Sequence, residues 1–243
     1  MTTLAIHQPH YLPWLGYLAK WAAADVFVFL DTVQYEKNGW QNRNRIKSAT
    51  GPRWLTVPVH ARLGTPVAEV TVDTTQPWAD RHLRLIEQAY AAAPHLARHR
   101  EALGELYATK WDRLAPLAVA SAELLARAVG ITTPAHLASA LDVTAAEPTE
   151  RLIALCQAVG ADTYLAGRDG ARYMDLERFA GAGIAVLYQD YTHPVYAQLH
   201  GEFAPNCCGL DLLLTHGDEA LDILRRGDHW SPQPPSETVG ERA

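Results

Sequence analysis

Residues 3–31 read TLAIHQPHYLPWLGYLAKWAAADVFVFLD, and this stretch decides the fold. Thr3 to His7 has the composition of a short buried strand. Gln8 to Pro13 then reads as a loop, because Pro9 and Pro13 can neither donate to a ladder nor extend a helix. Over residues 15–24 the apolar side chains fall at helical spacing, at Leu15, Leu18, Trp21 and Ala22. Asp25 leads into Val26-Phe27-Val28-Phe29-Leu30, a β-branched and aromatic run of the kind buried on both faces of a sheet, and Asp31 ends it. Strand, loop, helix, strand is a βαβ unit, which favours a parallel sheet.

Further along, Arg53 to Val59 (RWLTVPV) reads as a strand with Pro58 at an edge or end, and Val67 to Val72 as a short alternating strand. Trp78 to about Gly130 is mostly helical in pattern, with breaks expected near Pro94 and Pro116. Residues 135–147 read as a connector. A helix follows from Thr149 to Val159, closed by Gly160, then strands at Thr163–Ala166 and Ile184–Tyr188. Asp211–Leu214 and Asp218–Arg226 are helical in pattern. The expectation is a single α/β domain over 1–230 with a Rossmann-like, nucleotidyltransferase-like, mostly parallel sheet and a helical insertion at about 78–130. The Pro- and charge-rich tail, 231–243, is expected to be disordered.

Composition sets limits on function. The 243 residues carry a formal net charge of -6, which excludes a basic duplex-binding groove as a property of the whole protein, so no nucleic-acid partner is expected. The most apolar stretch, Leu114 to Ile131, is interrupted by Ser121, Glu123 and Arg127, so no membrane span is expected. The N-terminus shows neither a basic n-region nor an apolar h-region. Three cysteines, Cys156, Cys207 and Cys208, are not a disulfide framework, and a cytoplasmic location with reduced thiols is expected.

Four clusters carry candidate chemistry. His7, Gln8 and His10 follow the first strand, and ligands of open α/β sheets bind beyond the carboxyl ends of strands. His7-x-x-His10 lacks a matched second ligand pair, so no metal is expected. Asp31, Tyr35, Trp40, Gln41, Asn42, Arg43, Asn44, Arg45 and Lys47 follow the second strand; their amides offer directed donors and acceptors, and the guanidinium forks suit phosphate or carboxylate. A solvated loop explains the charges equally but not Tyr35 and Trp40. Arg168 and Asp169, within a glycine-bounded turn, fit a tight turn or a ligand loop alike. His193, among prolines and aromatics, is either an orienting group or a packing residue. Cys207 and Cys208 lack an evident activating partner. No Walker A loop, GxGxxG or GxSxG is present.

The segments IHQPHYLPWLGYLAK, DVFVFLDTVQYEKNGWQNRNRIK and RWLTVPV strongly resemble the WbqC-like protein family. TYLAGRDGARYMD, YTHPVYAQLHGEFAPN and LDLLL are similar to its downstream blocks, so the likeness covers about residues 4–226. The family's characteristic positions fall on the His7-to-Tyr17 and Asp31-to-Lys47 segments. Cys207-Cys208 is a departure, standing where Leu-Ser is expected. The resemblance implies a biosynthetic enzyme of surface polysaccharides or specialised metabolites. The opening also looks like a nucleotidyltransferase-like fold, but the His-x-Gly-His signature of that fold is missing, with Trp14, Leu15 and Tyr17 in its place.

The leading expectation is group transfer of an acyl, aminoacyl or related unit onto an amine or hydroxyl. His7, Gln8, His10 and Asp31 are its candidate catalytic residues, with His7 as base. Tyr11, Tyr35, Trp40, Gln41, Asn42, Arg43, Asn44, Arg45, Lys47, Arg168, Asp169 and His193 are candidate substrate contacts. The substrate would be a small-molecule or carrier-bound, phosphate-bearing compound. Two alternatives stand beside it: a nucleotide-dependent ligase or nucleotidyltransferase, which would use Mg-ATP, and a non-catalytic binding or scaffold subunit. No motif specifies a cofactor or an oligomeric state.

Overall fold

A computed structural model describes residues 1–235. The expected tail beyond residue 235 lies outside the described residues. The opening unit forms β1 (Thr3–His7), α1 (Leu15–Ala22) and β2 (Val26–Phe29). β1 and β2 pair in parallel, from Leu4 opposite Val26 to His7 opposite Phe29. Side chains alternate across a strand, so the two faces divide cleanly. Ala5, Phe27 and Phe29 join the core that α1 packs on, whereas Leu4, Ile6 and Val28 join a second core on the other face. Trp21 of α1 stacks on Phe27 with ring centroids 4.6 Å apart.

The chain then leaves the sheet. β3 (Arg43–Ser48) and β4 (Gly51–Thr56) form an antiparallel hairpin, and β5 (Val59–His60) pairs with β6 (Thr71–Val72). β3 escapes the sequence reading because its inward positions include the buried Asn44 beside Ile46, which disguises the alternation. The strand expected over Arg53–Val59 starts at Gly51 and stops at Thr56, ahead of Pro58. In the expected strand Val67–Val72, the first half is a 3-10 turn over Val67–Glu69.

Three helices follow, α2 (Trp78–Ala89), α3 (Leu96–Ala108) and α4 (Leu114–Val129). Pro94 lies between α2 and α3 as expected. Pro116 breaks nothing; it sits in the first turn of α4, where a missing N–H has no helical partner to lose. Gly130 ends α4 at a φ of 89°, a left-handed conformation open to glycine. Among the described residues no helix is long and apolar enough to cross a membrane.

β7 (Ala135–Leu137) returns to the sheet as an edge strand parallel to β2, within the stretch read as a connector. Three residues are too few to show a period. The remaining elements are α5 (Pro148–Ala158), β8 (Thr163–Ala166), α6 (Leu176–Gly181), β9 (Ala185–Tyr191), α7 (Gly209–His216), α8 (Ala220–Arg225) and β10 (Asp228–Ser231). The six-stranded sheet runs β10-β9-β8-β1-β2-β7, all parallel except β10, which is antiparallel to β9. By order of appearance in this sheet the strands read 6-5-4-1-2-3, the doubly wound Rossmann-like order. Connections from β1 and β8 diverge to opposite sides, so their carboxyl ends leave a crevice, the place where such sheets bind ligands.

Candidate functional site

The loop leaving β1 is held in a conformation it would not choose alone. Leu12 has a φ of 46°, a left-handed backbone that costs a non-glycine residue roughly 1–3 kcal/mol. Its N–H donates to Ser121 Oγ at 2.9 Å, and its carbonyl accepts from Asn44 Nδ2 at 2.7 Å. The neighbouring Tyr11 hydroxyl contacts Tyr107 Oη at 2.5 Å and His82 Nδ1 at 3.0 Å. Residues of β3, α2, α3 and α4 thus fix the loop, and the loop fixes what stands at the end of β1.

A cavity of about 990 Å³ opens at the carboxyl ends of β1 and β8. His7, Gln8, Trp14, Tyr17 and Lys20 line it from the opening unit. Arg168, Asp169 and Tyr173 follow β8, and Gln189 and His193 come from the end of β9 and beyond. The His7 ring lies 4.6 Å from that of His10 and 4.4 Å from that of Tyr17, centroid to centroid. Burial pushes the His7 pKa well below its ordinary value; the charges of His10 and Lys20 add to this, against a backbone hydrogen bond with Gln8. The ring is therefore neutral at physiological pH and has a lone pair to offer. Lys20 is 3% exposed; its Nζ donates to the Ile6 carbonyl at 2.7 Å, and burial brings its pKa from 10.5 down to about 7. Gln189 Nε2 donates to the Gly16 carbonyl at 3.0 Å and to Asp228 at 2.8 Å, tying the β9 side of the cavity to α1.

The profile of the WbqC-like protein family matches residues 8–223. The chain belongs to that family. It is 38% identical over 232 residues to a Mycobacterium tuberculosis (strain ATCC 25618 / H37Rv) protein named "Uncharacterized protein Rv1507c", covering 93% of this chain and 98% of that one. No solved structure matches.

This WbqC-like chain distributes the sequence-derived candidates over several places. His7, Gln8, Arg168, Asp169 and His193 line the main cavity, and His10 lies buried behind His7. Arg168 pairs with Asp190 at 2.8 Å and Asp169 with Arg172 at 3.3 Å. A second cavity of about 830 Å³ is lined by Tyr35, Asn42 and Arg43, together with Lys37 and Arg62; Glu36 lines both cavities. Trp40 packs on Trp54 at 5.5 Å; Arg45 lies near both rings, and Arg43 lies 4.4 Å over that of Trp54.

The other candidates serve the frame. Asp31 accepts from Ser139 N at 3.0 Å and Ser139 Oγ at 2.7 Å, which pins the turn after β7. Gln41 donates to Gln8 Oε1 at 2.6 Å and accepts from the Glu36 N–H at 2.8 Å, so it positions Gln8 without lining a cavity. Lys47 is spent on the carbonyls of Gly201 and Glu202, and Tyr11 and Asn44 on the loop already described. Cys207 and Cys208 are buried and their thiols pushed up, Cys207 to about 12 and Cys208 further, so neither is a ready thiolate. Among the described residues no group of three or more His, Cys, Asp or Glu side chains could hold a metal.

Lys20 and Gln189 are among the cavity residues that sequence reasoning missed. The signal for Lys20 was present: it is the single charge in LGYLAKWA, a helix with seven of its eight residues buried. A charge inside a helix packed all round calls for a local reason. Gln189 had no such signal, since a polar residue late in a strand usually faces solvent.

Proposed function

We propose that this WbqC-like protein is a biosynthetic group-transfer enzyme, moving an acyl, aminoacyl or related unit onto an amine or hydroxyl. The observation carrying this reading is His7 on the wall of a large cavity at the switch point of the sheet. His7 takes the proton of the attacking amine or hydroxyl as the new bond forms, and returns it to the thiol or phosphate that leaves as the donor's bond to its carrier breaks. Gln8, held by Gln41, orients that acceptor. Arg168, Asp169 and His193 line the same cavity from the segments after β8 and β9, where the remainder of the substrate is placed. The cavity has room for a substrate of drug-like size, which suits a nucleotide-linked or carrier-linked donor.

The test is a thermal-shift screen with nucleoside diphosphate sugars, acyl-CoAs, phosphopantetheinyl carrier protein and Mg-ATP. It is followed by mass spectrometry of mixtures of the stabilising donor with amine and hydroxyl acceptors. A donor at about 100 times its dissociation constant adds roughly 2.7 kcal/mol of stability. Transfer by the wild type, with kcat reduced about 100-fold or more in His7→Ala, is the expected result. Turnover unaffected by that change removes His7 as base. A shift with Mg-ATP alone, with pyrophosphate exchange, replaces transfer by ligation. Binding of a donor without turnover replaces both by a binding subunit.

A further inference from the structure

We propose that Lys20 forms an oxyanion subsite at the floor of this cavity, completed by a phosphate or carboxylate that the ligand brings. The inference rests on the cavity being where the ligand sits, as in the function proposed above, but not on any transfer step.

The argument begins with a missing counter-charge. Lys20 is buried, and among the described residues no carboxylate forms an ion pair with it. Its ammonium has three donors, of which one is used, on the Ile6 carbonyl. An isolated buried cation is expensive, and proteins normally pair it. The charged groups around the cavity do not supply the partner. Asp169 and Asp190 pair with Arg172 and Arg168, and Asp228 accepts from Gln189 and Trp230. Glu36 is exposed at the rim, shared with the second cavity. His7 and His10, the titratable groups beside Lys20, are cations if they are charged at all and offer it no attraction.

The surroundings are shaped for a ligand group. Gly167, at the end of β8, lies beside Lys20: a Cβ there would stand at ordinary contact distance, 3.9 Å, from Nζ. The Tyr164 ring centroid lies 6.0 Å from Nζ on the β8 side. Tyr17, 1% exposed and lining the same cavity, has a hydroxyl without a hydrogen-bond partner among the described residues; the nearby His10 backbone does not meet bonding geometry. Tyr17 thus lines the cavity from the same helix, one turn from Lys20, and carries a second buried donor. Docking an anion here also cancels part of the repulsion that disfavours a proton on His7, so ligand binding makes His7 a better base.

The experiment is calorimetric titration of the whole protein with sulfate and, separately, acetate, in two buffers of different ionisation enthalpy, about one pH unit above the Lys20 pKa. Neither probe titrates there, so proton uptake reports on the protein. Expected is binding with uptake of most of one proton, since the anion draws Lys20 into its charged form. A preference for sulfate marks a phosphate-type ligand and a preference for acetate a carboxylate-type one. Lys20→Met should weaken binding roughly ten- to hundred-fold and abolish the uptake, as expected for loss of a charged hydrogen bond. The same change should raise the melting temperature of the ligand-free protein, which shows that it folds. Tyr17→Phe should weaken binding several-fold. Failure of both anions to bind, or binding and proton uptake unchanged in Lys20→Met, overturns the subsite. Anion binding that depends on Lys20 in a protein without transfer activity overturns the transfer reading alone.

Discussion

Tyr11 and Tyr17 lie on the same short segment and both are buried, yet their hydroxyls stand in opposite situations. The Tyr11 hydroxyl is engaged by Tyr107 and His82, and the Tyr17 hydroxyl has no partner among the described residues. The contrast extends to their surroundings. Behind the loop that follows β1, the polar groups that hold Leu12 and those around Asp211 are consumed by protein. Asn44 and Ser121 hold Leu12, and Asp211 accepts from Tyr90, Tyr196 and Gln198 at 2.8, 2.8 and 2.9 Å. In front of the loop, among the described residues, His10 Nδ1 and the Tyr17 hydroxyl have no partner and Lys20 has no counter-charge. Residue type does not separate the two regions, since each has histidine, tyrosine and a buried polar or charged group. Satisfaction separates them. A buried polar group left unpaired costs about 1–3 kcal/mol, so a cluster of them points to a place that something else completes.

Acid should show the largest effect and reaches both regions. Burial holds His10 at about 3 on the cavity side and His82 at about 4 behind the loop, against 6.5 in the unfolded chain. Between those values the unfolded chain binds more protons. Stability is therefore intact above pH 6.5 and is lost as pH falls toward 4 and then 3, by about 1.4 kcal/mol per unit for each group. Thermal melts across this range measure the loss. His82→Gln should remove only the share that lies behind the loop, and an unchanged acid limb in that variant would break the comparison.

Asp211→Ala comes next. It leaves two tyrosine hydroxyls and the Gln198 amide without their shared acceptor, and should cost about 3–5 kcal/mol in denaturant unfolding. The smallest and sharpest contrast is the tyrosine pair. Tyr11→Phe should lose about 1–3 kcal/mol of stability and leave anion binding unchanged, because its hydroxyl serves the frame. Tyr17→Phe should be neutral or slightly stabilising, because the hydroxyl it removes is unpaired. Equal stability losses in the two variants, seen in parallel urea titrations, would erase the distinction.

Several features were legible in the residues because they depend on local pattern. The Val26–Phe29 run, the helical spacing from Leu15 and the proline-marked loop made the βαβ opening, and that unit placed His7 at a strand end. The same pattern reading missed β7, which is too short to show a period, and β3, whose inward Asn44 reads as surface. Among the candidates, Asn44, Lys47 and Asp31 were chosen as polar side chains near a strand end, and the structure spends all three on backbone groups or on Ser139.

What the sequence determined by itself is therefore the α/β class, the parallel opening and the neighbourhood of the site. These follow from periodicity and proline, which act within a few residues. What only the tertiary structure decided is which polar side chains are already satisfied. Hydrogen-bond partners such as Ser121 for Leu12, Tyr107 for Tyr11 and Asp211 for Tyr90 come from 109, 96 and 121 residues away in the chain. Whether Lys20 has a counter-charge depends on every element packed around it, and on its burial rests the proposal of an anion subsite.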